Sequence, residues 1–308
     1  MSDQLKSALV RVPCSTSNLG SGYDTIGLAL NRYLEVGFTP DDRGALVLQR
    51  EGTLTTLADH GGPDLVAAAF EQVLAEAGLI PSGVLRLSSD IPIARGLGSS
   101  SAALLAGYDL GRAVCGMPRD DKGAFLLALK HEGHGDNAAP CLYGGLRGVT
   151  HAAGGPVVID LHLSDAVGFA YAAPAAGLKT EAARDALPEH VSHKTAAASL
   201  GHLVALVRGL AEGRPDLIRA GVNDSLHVPY RLPLIPGAAA SMSAAMDAGA
   251  WAVTISGAGS GLIAMCEPGE AETVASAMRE TFATTTEDSE GVGFSVRPDL
   301  VGLQRLEG

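Results

Sequence analysis

The chain has 308 residues, 46% of them apolar and 18% charged, and its 22 Lys and Arg against 34 Asp and Glu leave a net charge of −12. That length divides into about two domains, and abundant Ala and Gly without low-complexity tracts exclude a disordered or collagen-like chain. The acidic balance and the lack of a Lys/Arg-rich run exclude nucleic acid as a partner, but not an anionic nucleotide, since a helix terminus and a metal ion act locally. Strands are predicted over 8–12, 33–38 and 45–49, short apolar runs rich in Val, Leu, Tyr and Phe. A helix follows over 64–77, where Val66, Phe70, Val73, Leu74 and Ala77 share one face at the helical period.

A strand over 84–87, a loop over 90–98 and an Ala/Leu-rich helix over 100–114 come next. A helix over 121–132 leads into the segment EGHGDNAAP, and strands over 147–151 and 157–161 complete a first domain of residues 1–160. The second, 161–308, reads as a strand over 168–172, several helices up to Gly249, a strand over 251–255, the turn SGAGSG, a strand over 262–266, a helix and a last strand. Helices over one face of an antiparallel sheet make the class α+β.

Cys14, Cys115, Cys141 and Cys266 lie far apart with no C-x-x-C pair, so neither a zinc site nor a disulfide framework is expected, only reduced thiols. The start, MSDQLKSALV, has no apolar leader core, and no run of about 18 apolar residues occurs. A cytoplasmic protein with no membrane contact is the expectation.

The segment Pro92-Ile93-Ala94-Arg95-Gly96-Leu97-Gly98-Ser99-Ser100-Ser101-Ala102-Ala103 sets glycines and serines where a helix begins. Glycine lets backbone approach an anion, and the free N–H groups of the first helical turn then point at it. Taken alone, such a turn is more often a helix cap than a phosphate site. It has no Gly-Lys-Ser/Thr for a P-loop, Ser101 breaks the dinucleotide fingerprint, and Ala102 breaks the G-x-S-x-G elbow.

The segment resembles the phosphate-binding motif of the GHMP kinases, with Ser101 in place of alanine. Two more blocks similar to that family stand in the same order, Pro13-Cys14-Ser15-Thr16-Ser17-Asn18-Leu19-Gly20-Ser21-Gly22-Tyr23-Asp24 and Ser256-Gly257-Ala258-Gly259-Ser260-Gly261. The blocks 132–140 (EGHGDNAAP), 180–188 (TEAARDALP) and 229–237 (PYRLPLIPG) look like the homoserine kinases within it. The resemblance implies a ribosomal-protein-like N-terminal domain with a left-handed β-α-β crossover, a ferredoxin-like C-terminal domain, and a site between them. It implies ATP and Mg²⁺, and transfer of phosphate to the hydroxyl of L-homoserine, giving O-phospho-L-homoserine for threonine biosynthesis. Two positions depart from the pattern: Asp64 stands where asparagine is common, and Ser260 replaces a proline.

Residue by residue, the resemblance assigns 92–102 to the nucleotide and Ser100 and Glu132 to Mg²⁺, a hard cation that suits such oxygen ligands. Arg184 and Arg231 are the candidates for the substrate carboxylate, which planar guanidinium forks suit, while Arg95 is expected to be solvated. Asn18, Asp24, Asp136, Asn137 and Gly259 complete the substrate side, with Asp24 and Asn137 nearest the chemistry. An amide such as Asn137 cannot act as a base at neutral pH, so transition-state stabilisation without a dedicated base is favoured, and His134 is read as ordering its loop. Two alternatives stay open: a GHMP kinase for a sugar or isoprenoid alcohol, and a non-catalytic nucleotide-binding regulator on the same scaffold. So does the choice between monomer and homodimer.

Overall fold

The computed structural model describes residues 5–59, 64–285 and 291–307. The chain opens with two long antiparallel strands, β1 (Ala8–Asn18) and β2 (Gly22–Pro40), much longer than the apolar runs predict. The extension runs through Ser15, Thr16 and Ser17, which are buried although polar because their hydroxyls find partners across the fold: Ser15 on Asn137, Thr16 on Ser256 and Ser17 on the Asn137 amide. Buried hydroxyls satisfied in this way cost little, and they hide the strand from any hydrophobic pattern.

β3 (Leu46–Gly52), α1 (Leu65–Glu76) and β4 (Gly83–Ser89) form a parallel crossover unit, β3 and β4 being neighbours in register. Asp64 starts α1 by accepting from Val66 N and Ala67 N at 3.0 Å, the short-side-chain cap that offsets unpaired first-turn donors. The buried face of α1 carries Val66, Phe70, Val73 and Leu74, as its period predicts, whereas Ala77, expected on the same face, caps the helix end and is exposed. Phe70 meets Phe38 of β2 at 5.1 Å between ring centroids. α2 (Ser99–Val114), α3 (Asp121–Glu132) and α4 (Ala138–Tyr143) follow, then the hairpin of β5 (Leu146–Ala152) and β6 (Gly155–Leu161).

β7 (Gly168–Pro174) begins a second sheet. After it come α5 (Thr180–Asp185), α6 (His193–Glu212), α7 (Pro215–Val222), α8 (Val228–Arg231) and α9 (Ala238–Asp247). The hairpin of β8 (Ala252–Ile255) and β9 (Leu262–Cys266), then α10 (Ala271–Thr285) and β10 (Gly291–Val296), complete an antiparallel sheet of order β10-β7-β9-β8. Numbered within that sheet the order is four-one-three-two, the ferredoxin-like split β-α-β arrangement.

β7 is buried along its whole length because its two faces serve two cores. Phe169 and Tyr171 face the cluster shared with the first sheet, while Ala170 and Ala172 face Val274, Met278 and Phe282 of α10. One final strand was expected, and the described residues hold two. After β10, β11 (Gln304–Leu306) returns to the first sheet and pairs with β1, so its order is β11-β1-β2-β4-β3 with β5 and β6 added on β2. Three residues are too few to show a period, and Arg305 secures the return by pairing with buried Asp109 at 2.7 Å. No helix among the described residues is long and apolar enough to cross a membrane.

Candidate active site

The loop between β4 and α2 is shaped by backbone that ordinary residues resist: Ala94, Gly96 and Gly98 have φ of +57°, +76° and +61°. Gly98 is the cap of α2 and supplies no side-chain acceptor, so the first-turn N–H groups of a 16-residue helix are left without a side-chain cap. Such a terminus is a ready anion site. It opens on a cavity of about 600 Å³ between the two sheets, lined from this loop by Ala94, Gly96, Leu97, Gly98, Ser99 and Ser100.

The turn 256–261 and the loop are stitched together. Ser256 Oγ donates to Gly96 O at 2.6 Å, and a Cβ on Gly259 would lie 2.1 Å from Gly96 N. The first block joins both: Gly257 N donates to Ser17 O at 3.1 Å, Asn18 Nδ2 to Gly257 O at 2.8 Å, and Ser15 N to Leu97 O at 3.2 Å. Segments far apart in sequence thus close one wall.

Other parts of the 92–102 stretch stand behind the cavity. Pro92, Ser101 and Ala102 are buried, and Ile93 lines a second, mainly apolar space of about 300 Å³ that shares Ser99 and Ser100 with the first. Arg95 is half-buried and tied down rather than only solvated: it donates to Ile93 O at 2.8 Å, to Pro174 O at 3.0 Å and to Ala175 O, tying the loop to the end of β7. Carbonyls freed where β7 ends need donors, and a guanidinium has five N–H groups to offer.

Ser100 and Ser101 both donate to the Glu132 carboxylate, one to each oxygen, at the junction of α2 and α3. Two hydroxyl and two carboxylate oxygens converge there beside the uncapped helix start, a hard donor set that fits Mg²⁺. Ser101, the departure from the motif, adds the second hydroxyl; sequence reasoning placed it with the nucleotide and missed its bond to Glu132.

On the opposite wall Asp24, held at φ +50°, takes both ends of the Arg184 fork at 2.9 and 3.2 Å, and Tyr23 Oη accepts from the same guanidinium at 3.2 Å. Burial opposes the Arg184 charge, but the bond and charge of Asp24 outweigh it and raise its pKa. Asn18 accepts from Asp24 N at 2.9 Å as well as donating to Gly257 O, so both ends of its amide hold the architecture. Asn137 is similarly engaged, accepting from Ser15 and donating to Ser17.

Two residues lining the cavity each hold a buried side-chain atom with no protein partner: Asp136 its Oδ2 and Arg231 its Nη2. Asp136 Oδ1 bonds His134 Nδ1. Burial works against protonation of His134, but the hydrogen bond and charge of Asp136 outweigh it, so its pKa lies above the ordinary imidazole value. Arg231 is only 1% exposed, and burial lowers its pKa from a value so high that the charge persists. A buried carboxylate oxygen and a buried guanidinium nitrogen left without partners are costly unless something binds them.

Residues 64–145 match the GHMP kinases N terminal domain and residues 206–284 match the GHMP kinases C terminal. A homoserine kinase of Microchaete diplosiphon is 36% identical over 281 residues, 91% of this chain and 92% of that protein, and one of Moorella thermoacetica is 39% identical over 278 residues, 89% and 92% respectively. The chain belongs to the GHMP kinase family, among the homoserine kinases. The crystal structure of a homoserine kinase from Cytophaga hutchinsonii superposes with a TM-score of 0.84 at 26% identity, covering 99% of this chain and 98% of that one.

The two departures from the GHMP kinase pattern have local accounts. Asp64 caps α1 with one carboxylate oxygen and receives Arg50 Nη2 on the other at 2.8 Å, at the edge of the apolar space. Ser260 is buried and donates to Ala176 O at 2.8 Å, a tether that holds the turn where proline would have stiffened it.

Proposed function

We propose that the protein transfers the γ-phosphoryl group of Mg-ATP to the side-chain hydroxyl of L-homoserine. The observation that carries this reading is the pair of unpartnered atoms, Arg231 Nη2 and Asp136 Oδ2, in residues that line the same cavity as the helix start. An α-amino acid supplies a carboxylate for the first and an ammonium for the second, whereas a sugar supplies neither charge. Family membership and relatives named homoserine kinase support the substrate, and the uncapped first turn of α2 supports a phosphate there.

In this reading the loop 92–102 carries the nucleotide, with its base in the apolar space beside Ile93 and Asp64. Ser100, Ser101 and Glu132 would hold Mg²⁺, whose charge offsets that of the phosphates when bound. Residues 1–160 then supply the nucleotide loop together with Asn18, Asp24, Asp136 and Asn137, and residues 161–308, of which β11 returns to the first sheet, supply Arg184, Arg231 and Gly259, the two parts joined by the bonds of Ser256 and Asn18. Arg184, held by Asp24, shares the substrate carboxylate with Arg231, Asp24 fixes the hydroxyl end of the cavity, and Asn137, an amide engaged at both ends, orients rather than deprotonates. Positioning and charge thus do the work without a dedicated base. Thiols without a disulfide suit a reducing cytoplasm.

Phosphorus NMR of the protein with Mg-ATP and separately with L-homoserine, mevalonate and galactose tests the reading. A new phosphomonoester signal with homoserine and none with the other alcohols is expected. Phosphorylation of mevalonate or galactose with homoserine untouched overturns it, as does binding of ATP with no turnover of any of them.

A further inference from the structure

His227 was not among the residues singled out in the sequence, and it does not line the cavity. It is fully buried, one helical turn before Arg231, at the start of α8. Its two ring nitrogens face different groups. Nε2 lies 3.0 Å from Gly20 O, and Nδ1 lies 3.4 Å from Arg231 Nη1. A carbonyl oxygen can only accept, so Nε2 carries the hydrogen; Nδ1 is then a lone pair, and the guanidinium donates to it. Asp224 fixes the backbone that carries the ring, taking His227 N and Val228 N at 2.7 Å on one oxygen and Leu226 N at 3.0 Å on the other, and its carboxylate lies 3.7 Å from Nε2. Burial disfavours the imidazolium and lowers its pKa despite the charge of Asp224, in keeping with a neutral acceptor.

Every other donor of Arg231 is also accounted for. Nε donates to Ala183 O at 2.9 Å, Nη1 lies 3.5 Å from Gly257 O as well as against His227, and the guanidinium carbon sits 5.2 Å from the centre of the Tyr23 ring. The Tyr23 ring in turn stacks on the imidazole at 5.2 Å. A guanidinium is planar and rigid, so holding Nε and Nη1 leaves Nη2 a single direction. That is the buried, partnerless atom of a residue that lines the cavity.

We propose that His227 is a positioning residue: its neutral imidazole accepts from Arg231 and so aims Nη2 at the substrate carboxylate. This rests on the reading of Arg231 as the carboxylate site. Its signature is confined to one substrate, because the imidazole touches neither nucleotide loop nor metal ligands. Losing the acceptor lets the guanidinium rotate, weakening homoserine binding without altering ATP binding or the chemistry of bound substrate.

Two amides separate this role from that of an ordinary core histidine. H227N keeps an acceptor near the Nδ1 position and loses the contact with Gly20; H227Q reaches toward Gly20 and removes the acceptor. The test measures steady-state constants for both substrates in the wild type, H227N, H227Q and R231A. H227Q is expected to raise the homoserine KM by roughly tenfold, the scale of one lost bond to a charged group, with kcat and the ATP KM nearly unchanged. H227N should recover most of that loss. The opposite order, equal losses in both variants, or an unchanged homoserine KM in H227Q overturns the proposal. Should H227Q fail to fold, a tenfold rise in the homoserine KM of folded H227N does the same. R231A separates the two levels: if it leaves the homoserine KM unchanged the carboxylate reading itself falls, whereas a loss in R231A without one in H227Q removes only His227.

Discussion

Gly96 offers a sharp test of how the two sheets are held in register, because a second glycine of the same backbone conformation serves as its control. Gly96 has φ +76° and Gly78 has φ +73°. A Cβ on Gly78 would meet nothing within 4 Å, so Gly78→Ala adds only the left-handed strain of about 1 to 2 kcal/mol, part of it offset by the lower entropy of the unfolded chain. A Cβ on Gly96 would lie 1.8 Å from Ser256 O and 2.8 Å from Ser256 C. These are backbone atoms of a fully buried residue whose N–H donates to Gly261 O at 2.8 Å and whose hydroxyl bonds Gly96 O and Thr16, so the neighbour has no room to yield. Overpacking of that kind adds about 1 to 3 kcal/mol to the same strain.

At about 2 °C per kcal/mol for a chain of this size, Gly96→Ala should melt several degrees below Gly78→Ala. The larger effect is on activity. Relief of the clash requires the phosphate loop and the turn 256–261 to separate by an ångström or more, and misplacement on that scale costs about a hundredfold in rate. The assays are thermal denaturation followed by circular dichroism and kcat/KM with Mg-ATP and homoserine. Gly96→Ala matching Gly78→Ala in both would refute the argument that loop and turn are locked backbone to backbone.

Ser100→Ala and Glu132→Gln should each fold normally and lower kcat and kcat/KM together, the mark of groups that act in the transition state; normal kcat in both at saturating Mg-ATP removes them from the metal role. Arg231→Ala should cost on the order of 2 to 5 kcal/mol in kcat/KM for homoserine and most of the preference for the acid over homoserine amide, with ATP binding nearly unaltered. Arg184→Ala should do comparable harm by a second route, since it also strips Asp24 of its partner; preference for the acid retained in both variants and in their double mutant would place the carboxylate elsewhere.

Most of the helices were legible because each buries one face. α1 and α3 begin and end within a residue or so of their predicted bounds, with Asp64 and Asp120 as acidic caps and Gly133 closing α3 in the left-handed conformation. The glycine and serine loop was legible because uncapped helix starts leave a compositional mark, and the arginines because they stand within blocks similar to one family. What could not be read were features whose cause lies far away in sequence. β1 and β2 extend through serines, a threonine and glycines because Asn137 and Ser256 satisfy them from elsewhere. Arg95 looked free because the carbonyls it serves lie at Pro174 and Ala175. β11 is three residues long and is a strand only because β1 has an open edge.

The sequence by itself therefore determined the family, the helical faces and the residue types available at the site, all of which depend on neighbours along the chain or on blocks read whole. Tertiary structure alone decided which donors are spent and which are left over. Asn18, Asn137 and Arg184 arrive at the cavity already engaged, while Arg231 Nη2 and Asp136 Oδ2 arrive without partners. A hydrogen bond is a property of two groups in space, and a buried group left without one exists only once every other contact has been made.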